Sequence, residues 1–446
     1  MIKKTELVRN RRVLVYGLGV TGQSACETLL WAGAEVCLYA DPPANGWSER
    51  DLELRARLAE AGVRVFEDED EARGNAYFFI LKSPGIRRDR PLLQWAREQE
   101  IEIWSDLEVA YRLFGGERML AITGSNGKTT TTSLLTHLLN QAGRRAMSVG
   151  NIGIGILAEM RHASEDALFV VECSSFQLAS VSAFAPHIAA ILNITPDHLD
   201  WHESFEEYAL CKSNVARAQQ KDDVLILNPR DVQLKRFAEQ DAFPGRIEWI
   251  DGQSDWAQRL RTDRTLWHLY GEHNVENALF AIRMAQRVGL TEAAVREGLS
   301  SFRPVAHRVE FVREFEGVRY INDSKATNVD AAAKALSGMD APVLLIAGGM
   351  DKHVPFDDLY QSFAAHGKKM ILLGETKHQI AEGARTHGLG DCVMLVENMA
   401  EAVRQARAAA EPGDIVLLSP ASASWDMYPS YEVRGDEFRS LVNELK

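Results

Sequence analysis

The chain is poor in cysteine and contains no long apolar segment. Its five cysteines are an odd number in 446 residues, and none are spaced as Cys-x-x-Cys, which argues against a disulfide framework or a cysteine metal site. No run of about 18 apolar residues occurs, and the charged N-terminus lacks the apolar core of a signal peptide. We therefore expect a cytoplasmic protein without membrane insertion.

Basic residues are also in the minority. Lysine and arginine total 50 against 63 aspartates and glutamates, so the formal net charge is −13. A chain of this sign is not expected to bind nucleic acid, and any site for a polyanion must concentrate lysine and arginine locally. The hydrophobic content of 46% is typical of a globular protein. A chain of this length exceeds one core, so about three domains are expected.

A glycine-rich segment after an apolar run is the most informative motif. The run Met119–Thr123 predicts a strand, and Gly124-Ser-Asn-Gly127, Lys128-Thr129 and a helical pattern follow it. Such a loop directs backbone N–H groups and a helix N-terminus at one point, where the lysine adds positive charge. These groups suit a polyphosphate, and the Thr129 hydroxyl is placed to reach its Mg²⁺. Residue 122 is isoleucine, whereas the general phosphate-loop pattern has glycine there. The alternative is that the glycines only form a tight turn between strand and helix and bind no ligand.

A second glycine motif lies near the N-terminus. A predicted strand leads into Gly17-x-Gly19-x-x-Gly22 and a helix, and the next strand ends at Asp41. An acidic residue about twenty positions after such glycines completes the fingerprint of a dinucleotide-binding fold. Taken alone, this motif predicts a dinucleotide-binding site, and an NAD-dependent dehydrogenase is one function that such a site could serve.

Strand and helix patterns alternate along the whole chain, which predicts an α/β protein with parallel sheets. The turn at Gly115-Gly116 is one candidate boundary, and a long helical pattern from His273 to Arg287 precedes the next. We expect three domains: a Rossmann-like domain over 1–115, a central domain of the phosphate-loop ATPase type over 116–302, and a Rossmann-like C-terminal domain over 303–446.

Three polar positions follow apolar strands or lie on a predicted helix. Glu172 closes a strand and suits Mg²⁺, which prefers oxygen ligands, although a glutamate here can also cap a helix. Asp197 and His198 follow the next strand and can be simply a turn. Lys212 lies in a helical pattern and, taken alone, would be a solvated surface lysine.

Seven motifs together carry a resemblance to a known family. They follow in the same order and spacing as in that family: Thr123-Gly-Ser-Asn-Gly-Lys-Thr129, Gly150-Asn-Ile-Gly153, Glu172-Cys-Ser-Ser-Phe-Gln-Leu178, Asn193-Ile-Thr-Pro-Asp-His-Leu-Asp200, Glu272-His-Asn-Val-Glu-Asn277, Ala306-His-Arg-Val-Glu310 and Asn322-Asp-Ser-Lys-Ala-Thr-Asn328. The chain resembles the Mur ligases, ATP-dependent enzymes that append amino acids to the UDP-N-acetylmuramic acid precursor of peptidoglycan. The last motif, with Leu418–Asp426 and Arg434–Phe438, resembles the members that add D-glutamate to UDP-N-acetylmuramoyl-L-alanine.

The resemblance implies a site for ATP and Mg²⁺. Lys128, His198 and Lys212 match catalytic positions, with Lys212 present as a carbamate. Thr129, Glu172, His198 and the carbamate match the metal ligands. The positions matching ATP contacts are Gly124, Ser125, Asn126, Gly127, Lys128, Thr129, Thr130, Asn274, Asn277, Arg308, Asp323 and Lys325.

The two other substrates also have matching positions. The N-terminal glycine motif then holds the UDP end of the precursor, whose pyrophosphate suits a helix N-terminus. Positions matching precursor contacts are Gly19, Val20, Thr21, Asp41, Ser83, Gly85, Asn151 and Ser174, and those matching D-glutamate contacts are Thr327, Lys352, Ser424 and Tyr431. A monomer is expected.

The chain departs from some relatives at two places. Pro42-Pro43 stands where they have a basic residue near the uracil, and the order Gly348-Gly349-Met350-Asp351-Lys352 replaces an acidic residue followed by glycine and lysine.

Three other functions remain open at this point. Another amino-acid ligase of the same fold, either a different Mur ligase or a folylpolyglutamate synthetase, would share the central motifs. An NAD-dependent dehydrogenase would leave the second glycine-rich loop unexplained. A nucleotide-driven switch that catalyses no reaction would leave His198 and Lys212 without a role.

Overall fold

The computed structural model describes residues 5–43, 46–152, 155–199, 201–240, 243–263, 266–267, 271–303, 306–351 and 354–446. The described residues form three β-sheets with helices between their strands. The chain divides into two compact units, Met1–Asp251 with Leu279–Gly298, and Gly252–Ala278 with Leu299–Lys446. The predicted α/β class is confirmed, and the domain boundaries near 115 and 302 remain a proposal.

The first sheet has five parallel strands, as a Rossmann-like domain requires. Its strands are β1 (Arg12–Tyr16), β2 (Glu35–Tyr39), β3 (Arg64–Val65), β4 (Phe79–Lys82) and β5 (Glu102–Trp104). They lie in the order β3-β2-β1-β4-β5, so the direction of winding reverses beside β1. The helices of this part are α1 (Val20–Trp31), α2 (Glu49–Glu60), α3 (Glu69–Arg73), α4 (Pro91–Glu98) and α5 (Asp106–Phe114), after a short 3₁₀ turn at Thr5–Leu7.

The second sheet has six parallel strands. They are β6 (Met119–Thr123), β7 (Ala146–Gly150), β8 (Leu168–Glu172), β9 (Ile188–Ile191), β10 (Val224–Leu227) and β11 (Arg246–Trp249), in the order β11-β10-β9-β6-β8-β7. The strand that carries the glycine-rich loop is therefore central. The helices are α6 (Lys128–Gln141), α7 (Ile156–His162), α8 (Ser175–Leu178), α9 (Phe205–Ser213) and α10 (Val232–Glu239), followed along the chain by α11 (Asp255–Thr262), α12 (Glu272–Arg287) and α13 (Glu292–Ser301).

The third sheet has six strands and is mixed. Its strands are β12 (Glu310–Phe315), β13 (Val318–Asn322), β14 (Val343–Ala347), β15 (Gly367–Leu372), β16 (Val393–Leu395) and β17 (Ile415–Leu418), in the order β12-β13-β17-β14-β15-β16. Its helices are α14 (Val329–Ser337), α15 (Asp357–His366), α16 (Lys377–Thr386), α17 (Met399–Ala409) and α18 (Tyr431–Asn443), with a 3₁₀ turn at Gly390–Cys392.

The expectation of a fully parallel third sheet is wrong at one edge. Strand β12 pairs antiparallel with β13. Only Glu316 and Gly317 join the two strands, and both have positive φ, of 52° and 77°. A two-residue turn of this kind matches the twist of an antiparallel hairpin, whereas parallel strands need a long crossover.

Apolar side chains hold the first two sheets in one unit. A single buried cluster includes Val13 and Phe79 of the first sheet and Met119 and Phe169 of the second. Between the two parts, the Ala158 N–H donates a hydrogen bond of 2.9 Å to the hydroxyl of Ser24. No helix in the described part of the chain is long and apolar enough to cross a membrane.

Candidate active site

The glycine-rich loop has the predicted strand–loop–helix context. It leaves β6 at Thr123 and enters α6 at Lys128. Gly124 and Gly127 have φ values of +154° and +87°, which residues with a Cβ rarely adopt, so both positions favour glycine. The Lys128 ammonium donates to the carbonyl oxygens of Gly124 at 2.7 Å and Ser125 at 2.8 Å. The loop thus places a cation at the N-terminus of a 14-residue helix.

Lys212 is brought to this loop from α9. That helix begins after Ser204, whose hydroxyl accepts a hydrogen bond from the Glu207 N–H at 3.1 Å. Only 1% of Lys212 is exposed, and its ammonium donates to the Gly124 carbonyl at 2.8 Å. Burial, and then the charge of Lys128, hold the pKa of Lys212 well below its ordinary value. The alternative of a solvated surface lysine is therefore wrong.

Glu172 ends β8 directly beside the strand that carries the loop. It pairs with Ile122 of β6, and its Oε1 accepts a hydrogen bond of 3.0 Å from the side chain of Asn151. Its Oε2 is buried and has no hydrogen-bond partner within the described residues. The alternative of a helix cap is wrong, because Ser174 caps α8. A buried carboxylate oxygen without a partner costs free energy, and a bound Mg²⁺ would satisfy it.

His198 lies in the turn that follows β9. It has a positive φ of 54°, and its N–H donates to Oδ1 of Asp197 at 2.9 Å. The side chain is 42% exposed, and its ring centroid lies 4.8 Å from that of Phe176. The turn and an accessible imidazole are both present, so the metal-ligand role of His198 stays a prediction.

Ser174 is positioned by a buried chain of hydrogen bonds. The sequence motifs did not indicate this chain. The side-chain N–H groups of Gln177 donate to Asp106 of α5 at 3.0 and 3.2 Å. The amide oxygen of Gln177 accepts from the Ser174 N–H and hydroxyl, both at 3.1 Å. Asp106 thereby fixes the orientation of the Gln177 amide, and Gln177 in turn positions Ser174. Burial raises the pKa of Asp106.

Gly17 and Gly22 of the N-terminal glycine motif are closely packed, and the nearby Ser83 hydroxyl can still accept or donate a hydrogen bond. A Cβ at Gly22 would lie 1.9 Å from the carbonyl oxygen of Gly17, and a Cβ at Gly17 would lie 2.5 Å from Oγ of Ser83. A Cβ at Gly19 would meet nothing within 4 Å. The Ser83 hydroxyl is buried and has no hydrogen-bond partner in the described part of the chain. Val20, at the start of α1, is 68% exposed. The motif therefore leaves open space beside a free hydroxyl.

Asp41 is held by hydrogen bonds from Arg90, which no sequence motif indicated. Its Oδ2 accepts hydrogen bonds from the Tyr16 hydroxyl at 2.7 Å and from the Arg90 guanidinium at 2.5 and 3.2 Å. Arg90 thus supplies positive charge beside Asp41, where Pro42-Pro43 supplies none. No local pattern could indicate this, because 49 positions separate Arg90 from Asp41.

In the second unit, the nucleotide-matching residues lie around α12 and the end of β13. Asn274 and Asn277 are buried on α12 and joined by a side-chain hydrogen bond of 3.3 Å. Nε of Arg308 is buried without a hydrogen-bond partner among the described residues. The two oxygens of Asp323 accept from the Val309 N–H at 3.1 Å and the Ser419 hydroxyl at 2.8 Å. Burial raises the pKa of Asp323 to about 7.

Arg434 of α18 joins the loop after β13, which carries Thr327, to the loop after β17, which carries Ser424. It is 2% exposed and donates to the hydroxyl and carbonyl oxygen of Ser324 at 2.9 and 2.8 Å. It also donates to the carbonyl oxygens of Ser422 and Ala423 at 3.2 and 3.3 Å. Ser424 is buried next to these carbonyls.

The other D-glutamate-matching residues are only partly described. Tyr431 begins α18, and its carbonyl accepts from the Ser324 hydroxyl at 2.8 Å. The Thr327 N–H donates to the Lys325 carbonyl at 2.9 Å, and the Lys325 ammonium lies 5.5 Å from the Tyr431 ring centroid. Lys352 lies outside the described residues.

Comparison with known proteins agrees with these motifs. Residues 122–285 match the model of the Mur ligase middle domain, and residues 307–422 match that of the Mur ligase glutamate ligase domain. The UDP-N-acetylmuramoylalanine–D-glutamate ligase of Caldanaerobacter subterraneus subsp. tengcongensis is 38% identical over 98% of this chain and 99% of that protein. The enzyme of the same name from Streptococcus thermophilus is 38% identical over the full length of both chains.

The chain belongs to the Mur ligase family. Its fold also resembles solved Mur ligases: MurF of Thermotoga maritima in complex with ADP has a TM-score of 0.58 at 15% identity, covering 99% of this chain and 97% of that one. MurC of Thermotoga maritima has a TM-score of 0.56 at 17% identity, covering 98% and 100%. Membership of the Mur ligases excludes the NAD-dependent dehydrogenase as an account of the N-terminal glycine motif.

Proposed function

We propose that this Mur ligase adds D-glutamate to UDP-N-acetylmuramoyl-L-alanine in peptidoglycan precursor synthesis, an activity of class EC 6.3.2.9. The main support is the identity of 38% over full length to enzymes named for that reaction. Other Mur ligases and a folylpolyglutamate synthase are similar in fold but only 15–17% identical, so they support the fold alone.

The reaction would proceed through an acyl phosphate. The γ-phosphoryl group of ATP passes to the alanine carboxylate, and the D-glutamate amine attacks the acyl phosphate and releases phosphate. Phosphoryl transfer depends mainly on positioning and charge neutralisation. Lys128 supplies positive charge at the start of α6, where the loop N–H groups would hold the β- and γ-phosphates.

The residues around the loop fit Mg²⁺. Glu172 provides a buried oxygen without a partner in the described part of the chain, and Thr129 lies in the first turn of α6, the helix that follows the neighbouring strand β6. When bound, the ion would neutralise charge on the phosphates. Lys212 would contribute as a carbamate: its buried amine has a lowered pKa, and only a neutral amine reacts with CO₂. His198 would serve a second ion near the acceptor carboxylate.

D-Glutamate would be held by the hydroxyls and the lysine of the second unit. Thr327, Ser424, Tyr431 and Lys352 together offer hydrogen-bond donors for two carboxylates. Arg434 holds the Ser324 and Ser422 loops together, so it would set the spacing of these donors without touching the substrate. We further propose that the enzyme acts in the cytoplasm as a monomer, without a nucleic-acid partner.

A phosphate-release assay tests the proposal. Release should require ATP, Mg²⁺, UDP-N-acetylmuramoyl-L-alanine and D-glutamate together, and the product should gain the mass of one glutamyl residue. Replacing the acceptor by UDP-N-acetylmuramic acid or by a folate tests the other ligases of this fold. Turnover with one of those acceptors, and none with the muramoyl-alanine nucleotide, would refute the proposal.

A further inference from the structure

A cavity of about 220 Å³ lies where the first sheet meets the loop after α8. Ile101 and Ile103, beside and within β5, line it together with Ala179 and Ser180. Three cationic side chains also line it: Lys82, Arg88 and Arg97. None of these seven residues matches a position for ATP, precursor or D-glutamate.

The three cations differ in depth. Lys82 ends β4 and is only 1% exposed, whereas Arg88 and Arg97 are exposed. The Lys82 ammonium lies 5.4 Å from the Trp201 ring centroid. Arg88 forms an ion pair of 2.8 Å with Glu207 of α9. The cavity is thus lined by one buried cation and two exposed guanidinium groups.

Like charges around one cavity repel each other. Burial, and then Arg88 and Arg97, lower the pKa of Lys82 to about 8, while buried Asp106 acts in the opposite direction. Burial and Arg88 likewise lower the pKa of Arg97. An anion in the cavity would relieve this repulsion, and partial enclosure by isoleucine side chains would strengthen its attraction to the cations.

We propose that this cavity is a binding site for a small oxyanion of the phosphate class. Lys82 also links the cavity to the precursor-matching loop, because its ammonium donates to the carbonyl oxygens of Ser83, Pro84 and Ile86 at 3.3, 3.2 and 3.1 Å. An anion that accepts a hydrogen bond from the Lys82 ammonium would weaken its hydrogen bonds to the loop of residues 83–86. The site is therefore placed to modulate precursor binding from outside the precursor's own contacts.

Calorimetric titration with inorganic phosphate tests the site. The full-length protein would be titrated in the presence of a saturating non-hydrolysable ATP analogue and UDP-N-acetylmuramoyl-L-alanine, so that the γ-phosphate position and both glycine-rich loops are occupied. We expect phosphate still to bind, and Arg97→Gln to weaken that binding at least ~10-fold, because a charge-assisted hydrogen bond is lost. Arg87→Gln is the matched control, since Arg87 is exposed nearby but does not line the cavity.

Two further results decide the proposal. Above about pH 8, where inorganic phosphate is mostly the dianion, phosphate binding should be accompanied by proton uptake by Lys82. The charged neighbours of Lys82 are Arg88, Arg97 and Asp106. The uptake is measured as a dependence of the heat on buffer ionisation. Loss of all phosphate binding when the ATP analogue and precursor are present, or equal effects of Arg97→Gln and Arg87→Gln, would overturn it. Arg97 lies on the exposed face of α4, so its substitution should not disturb folding, unlike Lys82→Met.

Discussion

The ammonium of Lys212 donates a hydrogen bond of 2.8 Å to the carbonyl oxygen of Gly124. The Lys128 ammonium donates to the same carbonyl at 2.7 Å, so two cationic side chains from different helices meet at the first glycine of the loop. Two like charges this close are costly when one is fully buried. Conversion of Lys212 to an anionic carbamate would replace that repulsion by attraction.

Lys212→Ala should lower turnover by about 10² or more, the order expected when a charge-positioning group leaves a phosphoryl-transfer site. Acetate should partly restore the Ala variant by supplying an anionic oxygen. Lys212→Arg should also be inactive, because arginine stays cationic and cannot be carbamylated. Steady-state phosphate release measures these effects, with the exposed Lys235→Arg on α10 as control. Full activity of Lys212→Arg would show that no carbamate is needed.

Glu172→Gln should raise the Mg²⁺ concentration for half-maximal activity at least ~10-fold. An amide keeps the size of the side chain but removes the charge that suits a hard cation. The measurement is a Mg²⁺ titration of phosphate release at fixed ATP. Glu239→Gln, at an exposed end of α10, is the control. An unchanged Mg²⁺ dependence would remove Glu172 from the metal site.

Selectivity for the amino acid should be strong. With the muramoyl-alanine nucleotide and ATP, L-glutamate and L-lysine should support phosphate release at least ~100-fold less well than D-glutamate. Donors placed for two carboxylates are left unpaired by the wrong ligand, which costs a few kcal/mol. Comparison of kcat/KM for the three amino acids provides the test. Equal values for D-glutamate and L-lysine would contradict the assigned substrate.

Two glycines of the N-terminal motif should respond differently to alanine. Gly22→Ala should destabilise the fold by about 3 kcal/mol, since its Cβ would lie 1.9 Å from the Gly17 carbonyl oxygen and backbone must move. Gly19→Ala has open space and should keep its thermal stability. KM for the precursor should rise, because the proposed binding mode brings the precursor's pyrophosphate close to Gly19. Calorimetric unfolding and precursor KM separate the two effects. A Gly22→Ala protein as stable as the natural one would contradict the close packing of Gly22 against Gly17.

Stability should fall in mild acid, partly through His202. Burial lowers the pKa of His202 to about 4, and its Nε2 lies 3.0 Å from the Ser175 hydroxyl. The unfolded chain therefore takes up a proton at this residue from about pH 6.5 downward, before the folded protein does. The contribution of His202 to stability is present above pH 6.5 and is lost as the pH falls towards 4.

Unfolding temperatures measured between pH 7 and 4 test this. His202→Gln, which keeps a hydrogen-bonding side chain, should show a smaller fall in Tm across that range than the natural protein. His162→Gln changes an exposed histidine and should leave the slope unaltered. Identical slopes for the natural protein and His202→Gln would mean that the buried imidazole is not the group that titrates.

Local patterns predicted most of the framework. The alternation of strands and helices predicted the α/β class, and the glycine-rich segment predicted a strand, a loop and helix α6. These features depend on the periodicity of apolar residues and on the φ values that glycine permits, so neighbouring residues suffice to indicate them. Strands β3, β7, β11 and β12 were not predicted. Strand β3 has only two residues, too few to show a pattern.

The hydrogen bonds that position the site residues could be found only from the tertiary structure. Gln177 reaches Asp106 across 71 positions, Arg90 reaches Asp41 across 49, and Arg434 reaches Ser324 across 110. The burial of Lys212, and hence its lowered pKa, also arises only when α9 packs against the loop. The sequence by itself determined which residues are proposed to carry the chemistry, since their motifs are local. Folding decided their partners and charge states, because hydrogen bonds and desolvation depend on distant segments that packing brings together.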